Sequence, residues 1–288
     1  MKKAVIVSLA VLLIGAAVAA GCGGKSTKTA SSPAQKVLAD SQAKMQEIQT
    51  VKLAGKAVVL TPQSEVKEES FDFTADMKLV SKDDVEMHMV AKDSTGKPTD
   101  VYMVGGYIYT NDPTTGWTKQ KAESSTSGSV SGSLMSPTGL TELSKYATNM
   151  KMVTDPSGKY VVSFDVGPKF FEQVINQAAQ AGNTQTSTPS TEDQKAAEQL
   201  AQTMKDMMAG IQMGVVYKID KSTLLADSST IKMSLKGAPI VGDMSADMNV
   251  NFSDYNAPVT ITLPPEAQNA REVQPGPSGI PSIPGLPL

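Results

Sequence analysis

Side chains that commonly act in catalysis or metal binding are scarce in this sequence. Its 288 residues include one histidine, His88, one cysteine, Cys22, and one tryptophan. A catalytic triad or a cysteine–histidine pair would have to work through His88 alone. One histidine and one cysteine cannot supply the usual ligand set of a zinc site, and a single cysteine cannot form a disulfide within the chain. We therefore expect no metal, no cofactor and no internal disulfide.

Other motifs that carry chemistry do not occur either. No serine or cysteine lies in a nucleophile-elbow pattern, and Gly105-Gly106 separates two strand patterns instead of preceding a helix as a phosphate loop would. The acidic pairs Glu68-Glu69 and Asp83-Asp84 lie at predicted turns or strand edges and do not follow calcium-loop spacing. Two carboxylates alone can serve a glycosidase, but nothing in the sequence places two of them in one cleft. We predict that the protein is not an enzyme.

The charge balance argues against nucleic acid as a partner. The chain has 26 basic and 29 acidic side chains, a net charge of −3, and only 5% aromatic residues. Arg271 is its one arginine. Because nucleic-acid-binding proteins usually present a basic face with arginine and aromatic side chains, we expect no nucleic-acid partner.

The amino terminus has the pattern of an export signal. Met1-Lys2-Lys3 is cationic, residues 4–20 are apolar except for Ser8 and Gly15, and small residues follow up to Cys22. A cationic start, a short apolar run and a small-residue exit are typical of a secretory signal peptide. An uncleaved membrane helix would need about 20 or more apolar residues. A free-thiol secreted protein and a membrane helix remain as alternatives.

The exit of this run resembles the bacterial lipoprotein signal, in which a small-residue box ends in the acylated cysteine. Ala19 stands where the family usually has leucine. The resemblance implies that residues 1–21 are removed and that Cys22 carries fatty acyl chains such as palmitate. The protein would then be anchored in the cell membrane on its extracytoplasmic face, since two acyl chains anchor stably. Residues 22–32, rich in Gly, Ser, Thr and Lys, would form a flexible tether.

The remaining sequence predicts an α+β domain over residues 33–270. Ser32-Pro33 starts a helix that reaches about Gln49. About ten strands follow, and most alternate apolar and polar residues, which is typical of an antiparallel sheet with one buried face. His88 falls on the polar phase, where an exposed side chain is expected. Helices are predicted at residues 140–147, 168–181 and 191–209, strands include residues 211–220, 224–235, 241–252 and 259–263, and residues 271–288 are predicted to be a disordered, proline-rich tail.

The apolar phase of these strands is rich in methionine and phenylalanine. Methionine is unbranched and adaptable, so a methionine-rich wall suits ligands of variable shape, acyl chains included. The alternative is an ordinary solid core in a sequence that is poor in Leu and Phe. Under the first interpretation the candidate ligand-cavity residues are Phe71, Phe73, Met77, Met87, Met89, Met103, Phe164, Phe171, Met204, Met208, Met213, Met233, Met244 and Met248.

Three segments resemble the LolA-like superfamily of bacterial lipoprotein carriers and lipid-binding lipoproteins, LolA, LolB and LppX among them, and especially its DUF6612-type Gram-positive lipoproteins. They are Tyr107–Thr110 with Gly116–Lys119, Val216–Leu224, and Phe252–Ile261 with Pro264–Ala267. The resemblance implies an incomplete antiparallel β-barrel, a large curved sheet with helices plugging its concave side. In that family the hollow holds acyl chains or a lipid-modified peptide, and this favours a hollow over a solid core.

Two functions remain open after this comparison. The first is a membrane-anchored protein that binds a lipid or another hydrophobic ligand in an apolar cavity, with the helices at 168–181 and 191–209 as its lid. The second is an envelope sensor or assembly module whose core is filled by its own side chains and whose partner is an envelope protein. With either function, acylated Cys22 would anchor the protein in the membrane, and this argues against shuttling between membranes.

Overall fold

The computed structural model describes the chain in seven stretches. These are residues 32–61, 68–81, 84–112, 116–121, 143–171, 210–238 and 242–273. The predicted signal peptide, the tether up to residue 31, most of the predicted helical insert and the tail beyond residue 273 lie outside the described residues.

Helix α1, Pro33–Met45, begins as the sequence predicts and ends earlier than predicted. The Ser32 hydroxyl accepts from the Gln35 N–H at 3.2 Å, and the Ser32 N–H donates to Gln35 Oε1 at 2.7 Å. This capping box, with Pro33 in the first turn, satisfies the free N–H groups of the helix start. Leu38 and Met45 are buried, so α1 packs one apolar stripe against the sheet.

The sheet contains nearly all of the regular structure in the described residues. Its twelve strands are β1 Thr50–Leu60, β2 Glu68–Ser81, β3 Asp84–Lys92, β4 Pro98–Val104, β5 Tyr107–Asp112, β6 Gly116–Lys121, β7 Ala147–Thr154, β8 Tyr160–Val166, β9 Ile211–Ile219, β10 Ala226–Ala238, β11 Gly242–Ser253 and β12 Arg271–Glu272. They lie in the order β12-β6-β5-β4-β3-β2-β1-β11-β10-β9-β8-β7. The second helix, α2, is Pro265–Gln268.

The predicted fold class is confirmed. The pairs between neighbouring strands are antiparallel except for β12 with β6, which is parallel. The sheet is large and curved, and it does not close on itself, because β12 and β7 form its two edges. Pairing of β1 with β11 joins the meander β1–β6 to the meander β7–β11. Neither half alone would have this continuous face.

The register places the apolar phases of β1–β3 and β7–β11 on the same side of the sheet. One cross-strand row runs from Val162 through Tyr217, Ser229 and Val250 to Gly55. Buried residues of this side form the main core together with α1 and the helical turns at residues 143–145 and 168–171. The opposite side carries the polar phase of these strands, as the alternation predicts.

Three local predictions differ from the structure. The sequence predicts a strand at residues 259–263, but these residues do not pair with any strand in the structure. Pro258 and Pro264 flank them and lack the N–H that a sheet ladder requires. Residues 271–272 were assigned to the tail and instead form β12 beside β6. The helix predicted at 140–147 is helical at 143–145, and Ala147 already begins β7.

Candidate functional site

The apolar side of the sheet is the candidate site, because it gathers the predicted lining residues. Met77, Met87 and Met103 lie directly opposite one another on β2, β3 and β4. Phe164 and Met248 belong to one row across β8–β11, which continues to Ala57 and Phe71. Eleven described candidates are on this face of the strands, and Phe171 joins the same core from the helical turn 168–171. We call this surface the apolar face.

Burial divides these candidates into two groups. Eight are buried, with 6% or less of their surface exposed: Phe73, Met77, Phe164, Phe171, Met213, Met233, Met244 and Met248. Four are half-buried: Phe71, Met87, Met89 and Met103. Met204, Met208 and Cys22 lie outside the described residues. On this face Phe73 and Met77 of β2 and Val101 of β4 are buried, whereas Met87 and Met89 of β3 are half-buried, so the apolar face is packed at β8–β11 and most open at β3.

Gly55 lets an aromatic ring lie flat on this face. It is paired with Phe73 on one side and Val250 on the other. A Cβ atom at Gly55 would overlap the ring of Phe73 and the backbone carbonyl oxygen of Asn249. The ring of Phe73, which is only 6% exposed, therefore occupies the space that a side chain at position 55 would need. Glycine inside a strand often marks such a close approach.

A pair of hydroxyl groups interrupts the apolar face. Tyr217 and Ser229 are directly opposite each other on β9 and β10, and each is 2% exposed. Within the described residues, Tyr217 Oη and Ser229 Oγ are the buried side-chain polar atoms that have no hydrogen-bond partner. Burial raises the pKa of the Tyr217 phenol well above its ordinary value, and the facing Ser229 hydroxyl, which is near enough to interact but does not meet hydrogen-bond geometry, lowers it to a smaller extent. The phenol therefore keeps its proton and remains a hydrogen-bond donor.

The sequence alone does not predict this pair. The available signal is a break in the alternation of β10, where Ser229 precedes Ile231, Met233 and Leu235 in the buried phase. Only the register of β9 against β10 shows that Tyr217 faces it.

A carboxyl group lies at one end of the apolar face. Glu69 of β2 is opposite Val59 of β1, and Val59 is in turn opposite Ala246 of β11. Burial raises the pKa of the Glu69 carboxyl. The apolar environment at this end thus disfavours the charged form.

His88 lies on the outer face, as predicted, but it is half-buried rather than exposed. Its ring stacks on Tyr102, with centroids 4.1 Å apart, and its Nε2 is 3.1 Å from Asp100 Oδ1. Tyr102 also contacts the ring of Trp117, with centroids 5.9 Å apart. These contacts make His88 part of an aromatic cluster that packs against the outer side of β3–β6.

The described part of the chain also lacks two features. No three His, Cys, Asp or Glu side chains there are grouped so that they could hold a metal ion. None of the helices described has the length and apolar character needed to cross a membrane.

The fold thus defines a class of protein that is built on an open antiparallel sheet with one continuous apolar face. The chain belongs to a family of unknown function, DUF6612, which matches residues 29–272. This match covers the described residues up to Glu272 and the segments between them. No curated protein matches the chain.

Several solved structures show a weak likeness. One is a DUF1329 family protein from Desulfovibrio piger, at 10% identity, TM-score 0.30, with 80% of this chain and 96% of that chain covered. A LolA superfamily protein from Nitrosomonas europaea matches at 7% identity and TM-score 0.29, with the same coverages of 80% and 96%. The MucA/MucB complex of Pseudomonas aeruginosa contains a chain that matches at 12% identity and TM-score 0.30, over 79% of this chain and 59% of that one. At these scores the likeness carries no inference about ligand or activity.

Proposed function

We propose that this protein is a membrane-anchored, extracytoplasmic lipoprotein that binds a lipid or another hydrophobic ligand against its apolar face, without catalysing a reaction. The observation that carries the proposal is the half-buried group Phe71, Met87, Met89 and Met103 on the apolar face, of which Met87 and Met89 pack against the buried core. The LolA-like resemblance of the sequence supports the same function.

The binding energy would come from burial of alkyl surface. Each CH₂ group removed from water contributes about 0.8 kcal/mol. Methionine side chains adapt their shape at low cost, so Met87, Met89 and Met103 can fit chains of different length and branching. A ligand held in this way needs no cofactor and no covalent bond.

One comparison tests the location of the ligand. Met89 and Val90 are neighbours on β3 that point to opposite faces, and both are half-buried. We expect Met89→Lys to weaken binding of a pyrene-labelled alkyl probe at least about tenfold, because the ligand would bury an ammonium group. Val90→Lys, the matched control, introduces the same charge on the outer face and leaves the affinity unchanged. Equal loss in both variants would contradict a site on the apolar face.

A second experiment asks whether a ligand is present in the cell. The full-length protein would be purified from its own membranes in mild detergent and examined by native mass spectrometry and lipid extraction. We expect a co-purified lipid in substoichiometric or stoichiometric amount. Absence of any such lipid, together with no binding of the pyrene-labelled alkyl probe, would rule the function out.

Anchoring is tested separately at Cys22. We expect the wild-type chain to partition into the detergent phase and its mature amino terminus to carry acyl chains by mass spectrometry. Cys22→Ser removes the acylated sulfur and should move the protein to the aqueous phase. A wild-type protein with an unmodified Cys22 would refute the anchor but would leave ligand binding open.

The second candidate is an envelope sensor or assembly module that acts through protein contact. The observation that favours it is the burial of eight predicted lining side chains, Met213 and Met248 among them, as in a filled core. Photo-crosslinking from outer-face positions in cells would trap one protein partner if this function is correct. The ligand-binding function predicts no such specific partner.

A further inference from the structure

We propose that Tyr217 and Ser229 form the polar anchor of the ligand site, and that they donate hydrogen bonds to the carbonyl oxygen of a neutral acyl ester. The proposal rests on the proposed function, because it names the chemical class of the ligand for the same apolar face. It starts from the two hydroxyl groups that face each other, buried and without partners, on β9 and β10.

The arrangement of the pair fits one acceptor between two donors. The residues are directly opposite in the antiparallel ladder, so their Cβ atoms are about 4.5–5.5 Å apart. Each hydroxyl has one O–H to donate, and a carbonyl oxygen has two lone pairs to accept both. A buried donor that lacks an acceptor destabilises the free protein, and a ligand carbonyl would relieve this cost.

The surroundings select a neutral acceptor. Val162 and Val250 flank the pair in the same row, and the Phe164 ring stacks near Tyr217 with centroids 6.2 Å apart. Throughout the described strands β8–β11, the residues on the apolar face include no lysine or arginine. A carboxylate would lie there without a counter-charge, which is costly. An ester carbonyl brings no charge and needs none.

The pair is covered in this structure, so a ligand has to displace neighbouring side chains. Met248 is opposite Ile231 on β11 and is therefore a diagonal neighbour of Ser229. The flexible side chain of Met248 can move aside with little strain. This supplies a route to the hydroxyls from the apolar face.

The test uses the full-length protein after removal of co-purified lipid, with three pyrene-labelled probes of equal chain length: an alkyl methyl ester, an alkane and a fatty acid. The variants are Tyr217→Phe, Ser229→Ala and the double variant. Matched controls are Tyr109→Phe, a half-buried tyrosine on the outer face of β5, and Ser228→Ala, on the outer phase of β10. Fluorescence titration gives the affinities at neutral pH.

We expect each single variant to weaken ester binding about two- to tenfold, the effect of one neutral hydrogen bond, and to leave alkane binding unchanged. The controls bind all probes like wild type. Wild type should bind the ester more tightly than the charged fatty acid. With a ¹³C-labelled ester carbonyl, the infrared stretch should lie at lower wavenumber in wild type than in the double variant, a readout that a purely structural role would not move.

The unliganded variants provide an independent check. Removing a buried hydroxyl that has no partner should leave the melting temperature of Tyr217→Phe equal to or above that of wild type. A lower melting temperature for both single variants would show that the hydroxyls already hold a structural partner, and would overturn the anchor.

The outcomes separate the two proposals. If wild type binds neither the ester nor the alkane, the proposed function and the anchor both fail. Suppose that wild type binds both the ester and the alkane. If the variants then bind both probes like wild type, or lose affinity for both probes equally, the proposed function stands and the anchor is overturned. Tighter binding of the fatty acid than of the ester would overturn the choice of a neutral ester.

Discussion

Replacement of Gly55 by alanine tests the packing of the apolar face most directly. Gly55 lies between Phe73 and Val250 in one cross-strand row. An alanine Cβ would overlap the Phe73 ring, with Phe73 Cε1 at 2.8 Å, and would also overlap the Asn249 carbonyl oxygen. The ring can rotate away only by leaving its buried position. The carbonyl belongs to the backbone of β11 and can move only with that strand.

The expected cost follows from these two contacts. Overpacking a well-filled core costs typically about 1–3 kcal/mol. Because one clash is with backbone at the junction of the two halves of the sheet, we expect the upper part of this range, about 2–3 kcal/mol. For a domain of this size, about 2–4 °C of melting temperature corresponds to each kcal/mol. Gly55→Ala should therefore lower the melting temperature by about 4–12 °C.

Thermal melts followed by circular dichroism would measure this, with Gly214→Ala as the matched control. Gly214 is also inside a strand, but a Cβ there would meet only Asp165 Oδ1 at 3.8 Å, an ordinary contact. Its replacement should be neutral or slightly stabilising. In a Phe73→Ala background, Gly55→Ala should cost less, and the remaining cost reports the backbone clash. If Gly55→Ala melts like Gly214→Ala, the packing of Phe73 over Gly55 is wrong.

Two further predictions concern stability. Hydrogen bonds, first from the Ser222 hydroxyl and then from the Thr223 N–H, lower the pKa of Asp220 from 3.8 to about 2. A lowered carboxyl pKa stabilises the folded state above the unfolded value, and this stabilisation is lost as the pH falls from about 4 to 2. Asp220→Asn should therefore flatten the dependence of melting temperature on pH in that window, and an unchanged slope would contradict the assignment. The Tyr255 hydroxyl donates to the Ala226 carbonyl. Tyr255→Phe leaves this acceptor without its partner and should lower the free energy of unfolding in urea by about 1–3 kcal/mol; wild-type stability would show that the bond contributes nothing.

Local patterns in the sequence predicted most of the sheet. The alternation at residues 71–79 identified the centre of β2, and Gly105-Gly106 identified the turn between β4 and β5. Both are short-range signals, since side-chain alternation and turn chemistry depend on neighbouring residues. Positive φ angles of 59° and 76° at the two glycines explain why glycine is needed there.

Pairing between distant segments was not predictable in the same way. β12 has two residues and no alternation, and it exists because Arg271 and Glu272 pair with Thr118 and Lys119 of β6. Residues 259–263 alternate well but are not paired. A single sequence reports the tendency to be extended but not the presence of a partner strand.

The candidate site shows the same limit. Alternation placed Met77 and Met87 on one face correctly, yet it could not show that Met77 is buried and Met87 half-buried. Burial depends on what packs over each strand, which is a tertiary property. The stacking of His88 on Tyr102 likewise joins residues of two strands through their register.

The burial difference along the apolar face connects the two proposals. The hydroxyl of Ser229 lies on β10, on the packed side, while Met89 lies on β3, on the more open side. β10 and β3 are separated by four strand spacings in the sheet order, or about 19 Å at 4.8 Å per spacing. That span is comparable with an extended long acyl chain. A single acyl ester with its carbonyl at Ser229 and its chain directed across β11, β1 and β2 would therefore reach Met89, so that a substitution at either end should weaken binding of the same molecule.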